Sequence, residues 1–242
     1  MTARPPRADP NTRPPRRIGV LGGMGPEATV VYMQRVIALT HAADDADHIP
    51  LIVDSNTQVP SRIAALIDGT GEDPTPTLTQ MARKLEAYGA EALAMPCNTA
   101  HAYHAPVAAA VDIPFINMVA LSAEVAGKIS KSARIGMLAS PATRLARVFD
   151  APMDAVGLVP LWPREEAPIL AAIRAIKRSS RDASARAAAE HAVRELAAAG
   201  CGAVLIACSE FSIIAEDLAA DIPLIDTIDV LAAATVALAT AD

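Results

Sequence analysis

The apolar positions of this chain fall in short, uninterrupted runs, each closed by glycine or a polar cluster and followed by a longer amphipathic stretch. Ile18-Gly19-Val20-Leu21 ends in glycines, and Pro26-Glu27 then opens a helical pattern. Proline at the first helical position lacks only an N–H that would be unpaired there. An acid in the first turn meets the positive end of the helix dipole, so both residues mark a helix start. Pro50 to Val53 predicts a second strand, closed by Asp54-Ser55-Asn56. A helix predicted from about Pro76 to Tyr88 leads through Gly89 into a strand from Ala92 to Met95, which ends at Pro96-Cys97-Asn98-Thr99. Strands alternating with helices at this spacing make βαβ units and a parallel sheet.

The same pattern then returns. Arg17-Ile18-Gly19-Val20-Leu21 reappears as Arg134-Ile135-Gly136-Met137-Leu138, an offset of 117 residues. Gly89 precedes Cys97 by eight residues, as Gly200 precedes Cys208, at an offset of 111. Asp112-Ile113-Pro114-Phe115-Ile116-Asn117 matches Asp221-Ile222-Pro223-Leu224-Ile225-Asp226 at 109. Three blocks in the same order at nearly the same offset point to a duplicated unit. The expected fold class is therefore α/β, with two pseudo-symmetric, doubly wound parallel-sheet lobes and the active site in the cleft between them. The expected division is a disordered tail over residues 1–16, a first lobe from 17–118 plus 227–242, and a second lobe from 119–226. In open parallel sheets ligands sit beyond the carboxyl ends of the strands. Cys97 and Cys208 both fall there, each after an apolar run and before a helix.

Composition narrows the classes. The 242 residues are 52% hydrophobic, enough for a sizeable core. A net charge of −6 argues against a nucleic-acid surface, and no apolar run approaches membrane-spanning length. The first seventeen residues hold five Pro and five Arg with no apolar core, which disfavours a secretory signal. Three cysteines, an odd number, fit reduced thiols in the cytoplasm.

An isolated cysteine is usually a small buried hydrophobe, and Cys201, between glycines, reads that way. Cys97 and Cys208 differ, because each occupies the equivalent strand end of its repeat and is followed by polar residues. A helix N-terminus there would favour thiolate. Two rival chemistries touch the same segments. Cys97, His101 and His104 loosely suggest zinc, but no second ligand cluster accompanies them. Gly23-Met24-Gly25-Pro26-Glu27-Ala28 fits a dinucleotide loop, yet the acid that should grip a ribose is expected about 20 residues on, and Asp54 comes later.

Taken together, Gly22-Gly23-Met24-Gly25-Pro26-Glu27-Ala28-Thr29, Pro96-Cys97-Asn98-Thr99-Ala100-His101 and Ala207-Cys208-Ser209-Glu210 resemble the aspartate/glutamate racemase family, nearest its aspartate racemase branch. The resemblance implies two α/β lobes, a homodimer, and one acid/base thiol per lobe, Cys97 and Cys208, with no pyridoxal phosphate, other cofactor or metal. It implies that Asn98, Thr99 and Ser209, with the backbone of the Gly23-Met24 loop, hold the α-carboxylate and amine of a small amino-acid substrate. Glu210 matches the acid after the second cysteine and Ser140 and Thr143 a hydroxyl pair in the second lobe, with Glu210 and Thr143 among the substrate-binding residues, and Arg62 matches the arginine that grips the side-chain carboxylate. Lys177 falls where aspartate racemases carry a second basic residue. Ser61 and Ser209 depart from the usual Asp and Thr, and Trp162-Pro163-Arg164 is unfamiliar. The resemblance points to aspartate or glutamate. The alternatives are a broad-specificity amino-acid or hydantoin racemase, a maleate isomerase, or a non-catalytic protein that only binds small molecules.

Overall fold

The computed structural model describes residues 14–179 and 182–241. Most of the tail, residues 1–13, lies outside them. At its end Arg16 is already attached: its backbone N–H donates to the Ala239 carbonyl at 2.9 Å and its guanidinium to the Leu238 carbonyl at 3.0 Å.

Two parallel sheets organise the described residues. The first joins β1 (Ile18–Gly22) to β2 (Leu51–Ser55) on one side and β3 (Ala92–Ala94) on the other. The second has the order β5-β4-β6-β7, with β4 at Arg134–Ala139, β5 at Val159–Leu161, β6 at Ala203–Ala207 and β7 at Leu224–Asp226. With β1 matched to β4 in the strand order, β2 corresponds to β5 and β3 to β6. The fourth position survives in the first sheet only as a parallel bridge between Leu93 and Phe115, where β7 is a full strand. Its backbone bonds are nevertheless the same: Leu93 N–H donates to the Pro114 carbonyl at 2.8 Å, and Val204 N–H to that of Pro223 at 2.9 Å.

The repeated glycines have a packing reason. A Cβ on Gly19 would lie 2.8 Å from Leu93 and 3.0 Å from Leu85, and one on Gly136 would lie 2.8 Å from Val204 and 3.0 Å from Leu196. Leu85 lies in α2, Thr75–Ala87, the long helix that follows α1 at Pro26–Leu39, and Leu196 lies in the corresponding helix of the second repeat, Ala183–Ala198. Each helix thus presses on its sheet where the strand offers no side chain. Gly89 and Gly200, at φ +91 and +84, reverse the chain after these helices.

Strand alternation sorts the core. Ile18 and Val20 face Tyr32 and Val36 of α1, while Leu21, Leu93, Met95 and Cys97 face Leu78, Met81 and Leu85 of α2. In the second lobe, Val204, Ile206 and Cys208 pack with the helices at Glu166–Arg178 and Ala183–Ala198. We number the remaining long helices α3 (Met118–Ile129), α4 (Glu166–Arg178), α5 (Ala183–Ala198) and α6 (Thr227–Thr240). Helix α6 returns to the first sheet: Ile228, Leu231 and Ala232 join the core of Ile18 and Val20, and the Tyr32 and Thr235 hydroxyls meet at 2.7 Å. Helix α3 links the lobes, with Met118 in the first lobe's core and Val119, Ala123 and Ala126 in the second's.

Equivalent residues cap α3 and α6. Asn117 accepts from Ala120 N–H at 3.0 Å, and Asp226 accepts from Ile228 N–H at 2.9 Å and the Ser212 hydroxyl at 2.7 Å. Asp226 is only 7% exposed and its second oxygen has no hydrogen-bond partner among the described residues. Burial therefore raises its pKa to about 6, against the two hydrogen bonds that favour the carboxylate. Because the folded pKa lies above the ordinary aspartate value of 3.8, the native state binds the extra proton between about pH 4 and 6. Stability is then greatest below that window and falls as pH rises through it, by on the order of 3 kcal/mol. Asp226→Asn, which copies Asn117, is expected to be more stable than the parent at pH 8 and to lose that advantage at pH 4.5. Urea unfolding at both pH values tests this, and an advantage independent of pH would contradict it.

Candidate active site

The site is built where β1, β3, β4 and β6 run out. After β1 the chain turns at Gly23, whose φ is +85 and where a Cβ would lie 2.5 Å from the Asn56 backbone. Gly23 N–H donates to the Thr29 hydroxyl at 3.0 Å, and that hydroxyl donates to the Gly25 carbonyl at 3.2 Å, which ties the loop to the start of α1. The loop's Met24 is buried in the core that holds Cys97.

Cys97 follows β3 and Cys208 follows β6, and each is 6% exposed. Between the two lobes, the Thr99 and Thr143 hydroxyls meet at 2.8 Å in a buried contact. Asn98 reaches Thr227, just beyond β7, at 2.8 Å. The Thr227 hydroxyl donates to the Ile206 carbonyl at 2.9 Å, so from Asn98 it must accept, and the Asn98 amide nitrogen is the atom that faces it. This leaves Asn98 Oδ1 buried without a partner among the described residues, an acceptor suited to an ammonium or hydroxyl donor.

The second cysteine sits in a charged chain. Cys208 Sγ donates to Glu210 Oε2 at 3.1 Å, and Lys177 Nζ lies 3.0 Å from Glu210 Oε1. Burial pushes the Cys208 thiol well above its usual range, and the neighbouring carboxylate pushes the same way against Lys177. Partial burial works against the Lys177 ammonium, but Glu210, with the charged forms of Cys208 and Cys97, raises its pKa overall.

Met24, Arg62, Lys177 and Glu210 line one cavity of about 390 Å³, together with Thr57 and Ile213. The sequence reading is thus brought together in part. Cys208 connects to the cavity through Glu210, and Cys97 shares a core cluster with Met24; the thiols, Asn98, Thr99, Thr143 and Ser209 are not among its lining residues. Ser209 is buried at the start of the short helix Ser209–Ser212, and Ser140 caps the helix Pro141–Leu145 by accepting from Ala142 N–H at 3.2 Å. Arg62 turns inward: its guanidinium donates to the Pro60 carbonyl at 3.1 Å and to those of Val59 and Met24 at 3.4 Å, with Nε buried and without a hydrogen-bond partner among the described residues. Larger grooves of about 560 and 540 Å³, between α3 and α6 and between α4 and α5, include none of these residues. Thr227 escaped the sequence reading. Its signal was the hydroxyl directly after the second Asp-Ile-Pro block, in the strand-end position that the fold makes chemical.

His101 holds the segment after Cys97 rather than joining a ligand set. Its Nδ1 lies 2.9 Å from the Cys97 carbonyl, and its Nε2 is 3.2 Å from Met118 N–H. A backbone N–H can only donate, so Nε2 is the bare nitrogen and Nδ1–H donates to Cys97. Burial keeps the ring neutral, with a pKa of about 4. His104 is likewise bound, its Nε2 3.3 Å from the Phe115 carbonyl, with its ring stacked on His101.

A protein-family model described as Asp/Glu/Hydantoin racemase matches residues 21–235. Among solved structures, an aspartate racemase of Picrophilus torridus aligns with a TM-score of 0.81 at 27% identity, over 93% of this chain and 94% of that one. The glutamate racemase isoform RacE1 of Bacillus anthracis aligns at 0.67 and 21% identity, over 91% and 80%, which is a likeness of fold. The broad specificity amino-acid racemase RacX of Bacillus subtilis (strain 168) is 31% identical over 115 residues, 42% of this chain. That match spans less than half of the relative, 45% of its length.

The His101 assignment predicts a neutral Nδ1–H imidazole throughout pH 5 to 8. Long-range proton–nitrogen correlation of the ring reads the tautomer directly; an Nε2–H pattern, or an imidazolium at pH 6, would contradict the bonding described.

Proposed function

Because the chain belongs to the Asp/Glu/Hydantoin racemase family, we propose that it inverts the α-carbon of an amino acid between Cys97 and Cys208. One thiolate removes the α-proton from one face, and the other thiol returns a proton to the opposite face. The pair ends with its protonation exchanged, and no proton or electron is left unaccounted for. The observation that carries this reading is the equivalence of the two cysteines, each at the carboxyl end of the central pair's second strand, β3 or β6. The reading assigns no part to pyridoxal phosphate or a metal.

The weakly acidic α-proton requires fixed donors at the substrate carboxylate, where charge builds in the transition state. Thr99, Thr143, Ser209 and the backbone of the Gly23–Met24 loop are assigned that task, and Asn98 Oδ1 is assigned to the ammonium. Arg62 and Lys177 line the same cavity, which supports an acidic side chain, and aspartate is the first substrate we propose. A second reading, a wider range of amino acids, is favoured by one feature: the Lys177 ammonium is already matched by Glu210. We propose that the enzyme acts in the cytoplasm as a homodimer; Val30 and Ile37, exposed two turns apart on α1, support self-association.

Cys97→Ala and Cys208→Ala are each expected to abolish racemisation, since general acid–base groups contribute about 10²–10⁴-fold and both are required. Circular dichroism of L- and D-amino acids measures this, and near-normal racemisation by either variant would overturn the two-thiol assignment. Arg62→Ala is expected to lower kcat/KM for aspartate by roughly 10–10³-fold while hardly changing turnover of alanine or serine. Lys177→Ala should act in the same direction but less strongly, because an ammonium binds as a flexible point charge. A parent enzyme that prefers neutral amino acids and is insensitive to Arg62→Ala would select the broader reading.

A further inference from the structure

Glu210 serves two partners at once. One carboxylate oxygen accepts the Cys208 thiol at 3.1 Å, and the other holds the Lys177 ammonium at 3.0 Å. Glu210 is buried, Lys177's side chain is 42% exposed, and the first lobe's Gly25 backs onto Oε1, where an added Cβ would stand 3.4 Å away. A thiol that donates to a buried carboxylate cannot ionise without setting a second negative charge beside the first, away from water. No equivalent carboxylate follows Cys97, where the chain continues Asn98-Thr99. The two halves of the duplication therefore differ at the atom next to the sulfur.

We propose that Glu210 is a positioning residue that keeps Cys208 in its thiol form in the resting enzyme, so that Cys97 is the member of the pair that begins as the base. The inference rests on the two-thiol reading given above, and it adds a direction to it. Burial and the adjacent carboxylate both raise the Cys208 thiol, while Lys177 opposes them. Lys177 thus trims what Glu210 imposes. A substrate carboxylate that draws Lys177 away removes the opposing cation and holds Cys208 more firmly in its thiol form before the reaction begins. After one turnover Cys97 carries the proton and the Cys208 thiolate faces Glu210. That state is the less stable one, and it resets when Cys97 releases its proton to solvent and Cys208 takes one up, or when Cys208 deprotonates a molecule of the other enantiomer and Cys97 protonates its opposite face.

The test needs no substrate. The pH dependence of iodoacetamide alkylation is followed by peptide mass spectrometry on the full chain, with Cys97, Cys201 and Cys208 scored separately. Glu210→Gln should raise the Cys208 rate at pH 8 by about 10-fold or more, since each unit of thiol pKa changes the thiolate fraction about tenfold. Lys177→Ala should displace the Cys208 profile to higher pH and slow it. Cys201, a core thiol outside the site, should not respond to either change and reports any loosening of the fold. If Glu210→Gln loosens all three thiols, Lys177→Ala decides alone: displacement to higher pH supports the role, and an unchanged or lower profile overturns it. An unmoved Cys208 in a folded Glu210→Gln protein overturns it as well. Displaced profiles in a protein that racemises no amino acid would uphold the hold of Glu210 on the thiol and defeat the functional reading instead.

Discussion

Parallel pairing is the constraint from which the rest of this molecule follows. A strand that lies parallel to its neighbour must be fed by a crossover, so every strand of a sheet ends at the same edge. Here the crossovers pack tightly because Gly19 and Gly136 leave no side chain beneath Leu85 and Leu196. That close approach fixes where α2 and α5 lie, and with them the turns at Gly89 and Gly200 and the strands that deliver the cysteines. Two such edges, joined through α3 and α6, meet at the Thr99–Thr143 contact. The chemistry is therefore located by backbone rules, before any reactive side chain is considered.

Much of this was legible in the sequence because it is written in short-range patterns. An apolar run closed by Gly22-Gly23 marked β1, its repeat marked β4, and the repeated Asp-Ile-Pro block marked the segments that end in the helix caps Asn117 and Asp226. The first of those blocks forms only a bridge at Phe115, whereas the second builds β7; pairing length depends on neighbours that the block does not contain. The connection of Lys177 to Glu210 was illegible for the same reason. The two residues come from different elements, and only the seating of α4 against the short helix Ser209–Ser212 brings their heads to 3.0 Å. Motif resemblance assigned both to the substrate and could not see that they first answer each other. Thr227 was missed because its role depends on Ile206, across the sheet, to consume its hydroxyl proton.

The cavity is nearly balanced in formal charge along its chemical wall. Arg62 and Lys177 face it, and so do Glu27 and Glu210. Its cations are also engaged: Lys177 by a carboxylate, Arg62 by the carbonyls of Val59, Pro60 and Met24. Carbonyl partners are the weaker hold, because a guanidinium gains more from a carboxylate that it can meet with two parallel N–H donors. A side-chain carboxylate entering the cavity thus competes on different terms at its two ends. Against Arg62 it displaces neutral acceptors, and against Lys177 it displaces a charge.

That difference ties substrate choice to proton placement. The carboxylate that Lys177 would release is the same one that accepts the Cys208 thiol, so binding an acidic side chain and setting the state of the second cysteine draw on one group. A neutral side chain leaves the ion pair intact and the thiol partly relieved by Lys177. An acidic one leaves Glu210 with Cys208 alone. In a duplicated fold whose two thiols are otherwise equivalent, this single carboxylate supplies the asymmetry, and it does so from the residue two positions after the cysteine, where the first lobe has Thr99. Duplication made the pair; the departure from exact repetition gives the pair a starting direction.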